Sequence, residues 1–355
     1  MSLPGGTGVR VVTAGWALVG PPAETRVAQD VGLVVEGGVL REIGAVSDIL
    51  ARYPGADVAV NSGCLAIPGL VNAHHHGRGV SWLQQGHPDE PLEAWLLGFR
   101  LAAGLDAELD ARFAAERLLR SGVTTVVLSH YLPASPRLEQ DVRAALTGML
   151  STGIRVMLAV GFMDRSAWND PEMRGEIPEP LASQLDALIG PAGPGRWPSE
   201  AFDLFDTLDA DVRGTPGSRL VVGFGPVAPQ WCSDDLLVEI GRRARTRRAP
   251  IHLHALETAH QQRLSLVRSG RPQLARLAEL GLLTERTSVA HAIWLHPEDI
   301  DALAATGATV VHNPSSNLRL GSGRLPLIDL LDRGVAVALG TDCAGLRDDD
   351  DLVQE

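Results

Sequence analysis

Short apolar runs, each stopping at a polar residue, recur from residue 66 almost to the end of the chain. They occupy residues 66–73, 124–128, 154–160, 220–224, 251–253, 288–290, 309–311 and 335–339. Valine, isoleucine and leucine nearly fill them, as expected of parallel strands buried on both faces. Between several of them the apolar spacing changes to three and four, at 107–119, 235–245, 272–280 and 325–331. That spacing predicts amphipathic helices, and a glycine often follows. Eight strand–helix units over roughly 250 residues predict a (β/α)8 barrel in the α/β class. A doubly wound open sheet is the rival. It would not normally recruit ligands from its first, fifth, sixth and eighth strands into one site.

Upstream, residues 9–16, 30–35 and 39–43 are β-rich, and Glu36-Gly37-Gly38 is a hairpin turn signal. The expected domains are a small, sandwich-like β domain over 1–65 and the (β/α)8 barrel over 66–355. The stretch 164–216 is rich in proline, glycine and tryptophan, with helices expected at 181–188 and around 199–208. A connection this long usually carries an added role. It follows a strand end, so it is expected over the barrel mouth. After Asp342 only thirteen residues remain, too few for a full eighth helix. Uncovered apolar surface there predicts a homodimer or a longer native polypeptide.

Four strands end on metal-ligand residue types. The endings are Val71-Asn72-Ala73-His74-His75-His76, Ile251-His252-Leu253-His254, Ser288-Val289-Ala290-His291 and Leu339-Gly340-Thr341-Asp342. A barrel places functional side chains at the C-terminal ends of several strands. Alternation puts His74 and His76 on one side and turns His75 away. By the same alternation His252 is expected to face the helical layer. Glu257, three residues after His254, faces the same space if the chain turns helically there. Three imidazoles and a carboxylate suit zinc or ferrous iron.

Composition narrows the function classes. A formal charge of −12 argues against a nucleic-acid backbone as partner. Cys64, Cys232 and Cys343 show no C-x-x-C spacing, so neither a disulfide framework nor a cysteine zinc knot is expected. The first eight residues lack a basic start followed by an apolar core, and no run approaches a membrane span, so the expected location is the cytoplasm.

Five stretches together resemble the amidohydrolase superfamily, in its branch of metal-dependent deaminases and chlorohydrolases. They are Pro68-Gly69-Leu70-Val71-Asn72-Ala73-His74-His75-His76, His254-Ala255-Leu256-Glu257-Thr258, Ala290-His291-Ala292-Ile293-Trp294-Leu295, His312 through Gly323, and Leu339-Gly340-Thr341-Asp342. The branch includes guanine, cytosine and adenosylhomocysteine-type deaminases and triazine hydrolases. The resemblance implies that His74, His76, His254 and Asp342 bind one divalent metal, zinc first and iron second. It implies that Glu257 shuttles protons and that His291 contacts the hydrated intermediate, with Asp342 also catalytic. Two-metal barrels of this type often bridge their ions with a carboxylated lysine. This chain contains no lysine, so a single ion is expected. The family usually returns C-terminal strands to the small β domain, and those strands are absent here.

The reaction so implied is hydrolytic deamination of a purine, pyrimidine or triazine, releasing ammonia. Hydrolysis of a cyclic amide, another C–N bond or an aryl halide is the alternative enzyme reading. A metal-binding subunit without activity is the non-enzyme reading. Trp82, Trp95, Trp168, Trp231 and Trp294 are candidates to stack on a flat ring. Gln84, Gln85 and Gln230 are candidates to read ring edges, and Arg78, Arg165 and Arg319 to hold an acidic substituent. His130 ends the second strand.

Overall fold

The computed structural model describes residues 8–21, 24–98, 104–130, 137–165, 178–184, 197–343 and 349–355. The chain divides into two compact units, Met1–Gly69 and Leu70–Glu355.

The first unit is a four-stranded sheet of β1 (Arg10–Val19), β2 (Arg26–Glu36), β3 (Val39–Ala45) and β4 (Asp57–Ala66) in the order β3-β2-β1-β4. β1 runs antiparallel to β2 and parallel to β4. Gly37 and Gly38 both take positive φ, 57° and 76°, which the tight β2–β3 turn requires. The sandwich-like packing expected here is not formed among the described residues. The reason is that a helix, α1 (Val46–Arg52), covers the apolar face: Ile49 is fully buried on Val11 and Val34. The helix sits so close that a Cβ on Gly32 would lie 2.9 Å from Ile49 Cβ.

The second unit is a parallel barrel. Its strands are β5 (Leu70–His75), β6 (Val123–His130), β7 (Arg155–Phe162), β8 (Leu220–Pro226), β9 (Ile251–Ala255), β10 (Thr287–His291), β11 (Thr309–His312) and β12 (Val337–Leu339). They pair in sequence order, and a parallel bridge between His75 and Asp342 joins the last strand end to the first. Around them lie α2 (Leu92–Gly98), α3 (Ala107–Arg120), α4 (Leu138–Ser151), α5 (Trp197–Arg213), α6 (Asp234–Arg247), α7 (Ala259–Ser269), α8 (Gln273–Glu279), α9 (Pro297–Thr306), α10 (Pro314–Arg319) and α11 (Leu327–Asp332). α3 shows why such segments are helical. The Asp106 carboxylate accepts from the Leu109 amide at the N-cap, and Ala111, Ala114, Ala115 and Leu118 form one buried stripe. α6 is capped likewise by Ser233.

The first barrel strand starts at Leu70 rather than 66, because Pro68 and Gly69 hold the chain out of the ladder. The last strand is only Val337–Leu339. In the long 164–216 stretch, 166–177 and 185–196 lie outside the described residues, as does the second half of the helix expected at 181–188. The helix expected around 199–208 forms as α5. Among the described residues no helix is long and apolar enough to cross a membrane.

Candidate active site

Five side chains converge where β5, β9, β10 and β12 end. The ligand atoms of His74, His76 and His254 lie within 4.8 Å of one another, as do those of His74, His291 and Asp342. Asp342 Oδ1 is 3.2 Å from His76 Nε2 and 3.6 Å from His74 Nε2, and the Nε2 atoms of His76 and His254 are 3.3 Å apart. His291 Nε2 lies 3.9 Å from Asp342 Oδ2 and 3.6 Å from Glu257 Oε2. The structure thus gathers His74, His76, His254, Glu257, His291 and Asp342 into one cluster. His75 points away, with Nε2 3.4 Å from the buried Asp350 carboxylate.

The backbone is bent to deliver these groups. Leu256, His291, Ala292 and Asp342 all adopt positive φ, between 49° and 72°. Such non-glycine geometry costs of order 1–3 kcal/mol per residue and gathers at functional sites. Gly340 is needed for closure, since a Cβ there would lie 2.5 Å from Asn313 Oδ1 and 2.7 Å from His74 Cβ. Asn72 laces β5 to the end of β12: its Nδ2 donates to Thr341 Oγ at 2.7 Å, and its Oδ1 accepts from the amides of His74 and Thr341.

Outer partners fix how each ring faces the centre. His76 Nδ1 donates to the Ser129 carbonyl at 2.8 Å, and His254 Nδ1 donates to the Val227 carbonyl at 2.7 Å. A carbonyl only accepts, so both rings carry their proton on Nδ1 and present a bare Nε2. The Ser316 hydroxyl donates to Asp342 Oδ2 at 2.7 Å, and His291 Nδ1 lies 3.0 Å from Asn317 Oδ1. Buried His74 Nε2 has no hydrogen-bond partner. Two bare imidazole nitrogens, the unpartnered His74 Nε2 and a carboxylate oxygen around one point fit a divalent metal.

Burial sets the protonation states. It pushes the His74 imidazole down to about 4, against the opposing Asp342 carboxylate, and holds His252 and His254 well below 6.5. His130, at the end of β6, is pushed down to about 3 by burial, with Arg78 and His76 adding to it. Burial raises the Asp342 carboxyl, but the His74 and His76 imidazoles beside it outweigh that and hold it well below 3.8. Glu257 goes the other way. Burial, reinforced by Asp342 and Glu93, lifts it to about 7 although His291 opposes.

These shifts predict acid sensitivity of the metal-free protein. A depressed histidine leaves the unfolded chain binding more protons than the folded one below 6.5, so stability is lost as pH falls. From neutrality to pH 5 a fall from 6.5 to about 4, as for His74, costs about 2 kcal/mol. Glu257 has the opposite sign, because its raised pKa makes folding take up a proton between 4.5 and 7, and this offsets His74. Raised Asp299 and Glu355 act with Glu257, and His130, His252, His254 and His312 act with His74. Unfolding of metal-free protein should therefore be easier at pH 5 than at pH 7, by about 2 kcal/mol. Equal midpoints in urea at the two pH values would contradict it.

The cluster opens into a cavity of about 340 Å³, a size suited to a small ligand. Trp82, Trp95, Trp231, Gln85, Gln230 and Arg78 line it, as expected, and so does Cys343. Gln84 instead closes a local turn, accepting from the Ser81 amide. Arg319 is bound to Asp89 at 2.6 Å, and Trp294 donates to the Ser322 carbonyl; neither lines the cavity. Arg165 lines a neighbouring hollow with Arg268, and Trp168 lies outside the described residues.

Two features escaped sequence reasoning. Arg137 and Asp141, 3.9 Å apart, also line the cavity, although their spacing of four across the start of α4 reads as an ordinary surface pair. The expectation for His252 is overturned. It lies beneath His74, with its Nε2 2.7 Å from His74 Nδ1. Residues two apart on a strand share a face, so the alternation that turns His254 inward turns His252 inward as well.

The amidohydrolase family pattern matches residues 65–350. The chain is 28% identical over 336 residues to a 5'-deoxyadenosine deaminase of Methanosarcina mazei, covering 92% of this chain and 68% of that protein. It is 31% identical over 328 residues to a 5-methylthioadenosine/S-adenosylhomocysteine deaminase of Pyrococcus furiosus, covering 91% and 68%. The solved structure of an adenosine deaminase from Xanthomonas campestris with bound zinc superposes with a TM-score of 0.78 at 27% identity, covering 97% of this chain and 71% of that one. The chain belongs to the amidohydrolase family, in its branch of deaminases that hydrolyse carbon–nitrogen bonds.

Proposed function

We propose that this protein is a zinc-dependent aminohydrolase that removes the exocyclic amine from the adenine ring of a nucleoside. The observation that carries this reading is Glu257. It is a buried carboxyl raised to about 7 that faces both His291 and the cavity. The names of the relatives point to adenosine-type substrates. The tryptophan-lined cavity has the flat apolar walls that a purine needs.

His74, His76, His254 and Asp342 would hold one ion. A divalent cation bound there supplies a water that ionises near neutrality. The residues do the rest. Asp342 takes the proton of the attacking water. Glu257 delivers a proton to the ring nitrogen next to the amine-bearing carbon, and then assists protonation of the departing amine. His291 turns its Nε2 towards the oxygen that the carbon gains. Ammonia leaves, and the adenine ring becomes a hypoxanthine ring. General acid–base steps of this kind contribute about 10²–10⁴-fold.

An ammonia-release assay on 5'-deoxyadenosine, S-adenosylhomocysteine, adenosine, guanine and a chlorinated triazine tests the reading. Turnover of at least one adenine nucleoside, with one mole of ammonia per mole converted, is expected. Chloride release from the triazine with no ammonia from any nucleoside would overturn it in favour of halide displacement. Absence of turnover across the panel by metal-loaded protein would favour a binding role.

A further inference from the structure

His76 and His254 reach a backbone carbonyl directly, whereas His74 reaches His252. His252 Nε2 lies 2.7 Å from His74 Nδ1, and His252 Nδ1 lies 2.7 Å from the Ser288 hydroxyl. The Ser288 hydroxyl has the Ile251 carbonyl oxygen 3.5 Å away. His74 and His252 are both buried, so no bulk water competes for these atoms.

The direction of this chain follows from its two ends. Buried His74 Nε2 has no hydrogen-bond partner, so a proton there would be left without an acceptor, whereas the Ser288 hydroxyl can turn its proton towards the Ile251 carbonyl and offer its lone pair to His252 Nδ1. His252 then carries its proton on Nδ1 and leaves Nε2 bare. Bare Nε2 accepts from His74 Nδ1, which leaves the lone pair of His74 Nε2 facing the cluster. Run backwards, the same contacts would put a proton on His74 Nε2, where it would block a metal ion.

We propose that His252 is a positioning residue that, with Ser288, locks His74 into the Nδ1-protonated tautomer and so prepares Nε2 as a ligand before any ion arrives. This rests on the metal-site reading above and adds a specific cause for it. Outer hydrogen-bond partners of metal-bound histidines are worth about 10–100-fold in affinity.

The test uses the full chain, ¹⁵N-labelled and metal-free, with long-range ¹H–¹⁵N correlations that distinguish the two histidine tautomers. In wild type, His74 should be Nδ1-protonated. In His252→Leu, His74 loses its acceptor and should populate both tautomers, and zinc affinity measured with a chromophoric chelator should fall about 10–100-fold. In His252→Gln, the amide oxygen can take the place of Nε2, and both readouts should return towards wild type. A simple packing role would not distinguish Leu from Gln by tautomer. Should His252→Leu fail to fold, Ser288→Ala carries the test, with His252 itself expected to populate both tautomers. An Nε2-protonated His74 in the wild type, or an unchanged His74 tautomer and zinc affinity in His252→Leu, would overturn the proposal. If wild type takes up no zinc, the metal-site reading falls. The tautomer of His74 in the metal-free protein still decides the lock.

Discussion

Removing the metal with a strong chelator is expected to lower kcat/KM at least about 10³-fold, because the water in the site reverts towards the pKa of bulk water. His254→Ala should do the same by a different route. It deletes one imidazole whose Nε2 stands 3.3 Å from that of His76 and whose Nδ1 is already committed to the Val227 carbonyl. Its partner carbonyl lies at the mouth, and the strand itself is held by a parallel register with β10 from Ile251 to Ala255. The barrel should therefore stay folded while metal content drops. Elemental analysis should find close to one zinc per wild-type chain and a small fraction of that in His254→Ala. Chelated protein that keeps its full rate, or two tightly held ions per chain, would contradict the single-ion site. Readdition of zinc should restore chelated wild type and not His254→Ala, which separates loss of the ion from damage to the fold.

Much of this was legible in the sequence because barrel strands buried on both faces leave an uninterrupted apolar run. The eight runs lie on the eight strands. The strand ends were legible for the same reason, since His74, His254, His291 and Asp342 each break such a run. The start of the first strand is less legible, because Ile67-Pro68-Gly69 is apolar enough to extend the run four residues ahead of Leu70 although proline cannot join the ladder. The inward direction of His252 is legible too, since it stands two residues from His254 on one strand face. Arg137 and Asp141 were hidden by tertiary structure: nothing local says that the start of α4 borders the cavity. Ser316 and Asn317 lay inside a recognised stretch, yet only the three-dimensional turn of α10 aims them at Asp342 and His291. Positive φ at His291 and Asp342 had no signal at all, because neither residue is a glycine.

Glu257→Gln should lower kcat by at least about 10²-fold while metal content stays near that of wild type. The glutamine keeps the volume of a side chain that is 5% exposed, so the packing around it need not change. What disappears is the proton. Burial raises this carboxyl to about 7, with Asp342 and Glu93 adding to the effect, so a share of it carries a proton at neutral pH. A cation in the histidine cage works against this by stabilising the carboxylate, so in the metal-loaded enzyme the group should titrate at or below about 7. The sign for activity follows. The protonated form is the one that can protonate a ring nitrogen, so kcat/KM should decline as pH rises through that value. That decline should be absent in Glu257→Gln, whose residual rate comes from the remaining site. The measurement is kcat/KM against pH for both proteins, with zinc content assayed at each point so that loss of metal in acid is not mistaken for loss of a proton. Wild-type turnover in Glu257→Gln would remove Glu257 from the chemistry. It would also favour substrates whose leaving group departs without protonation, such as halides, over an amine that needs a proton to leave.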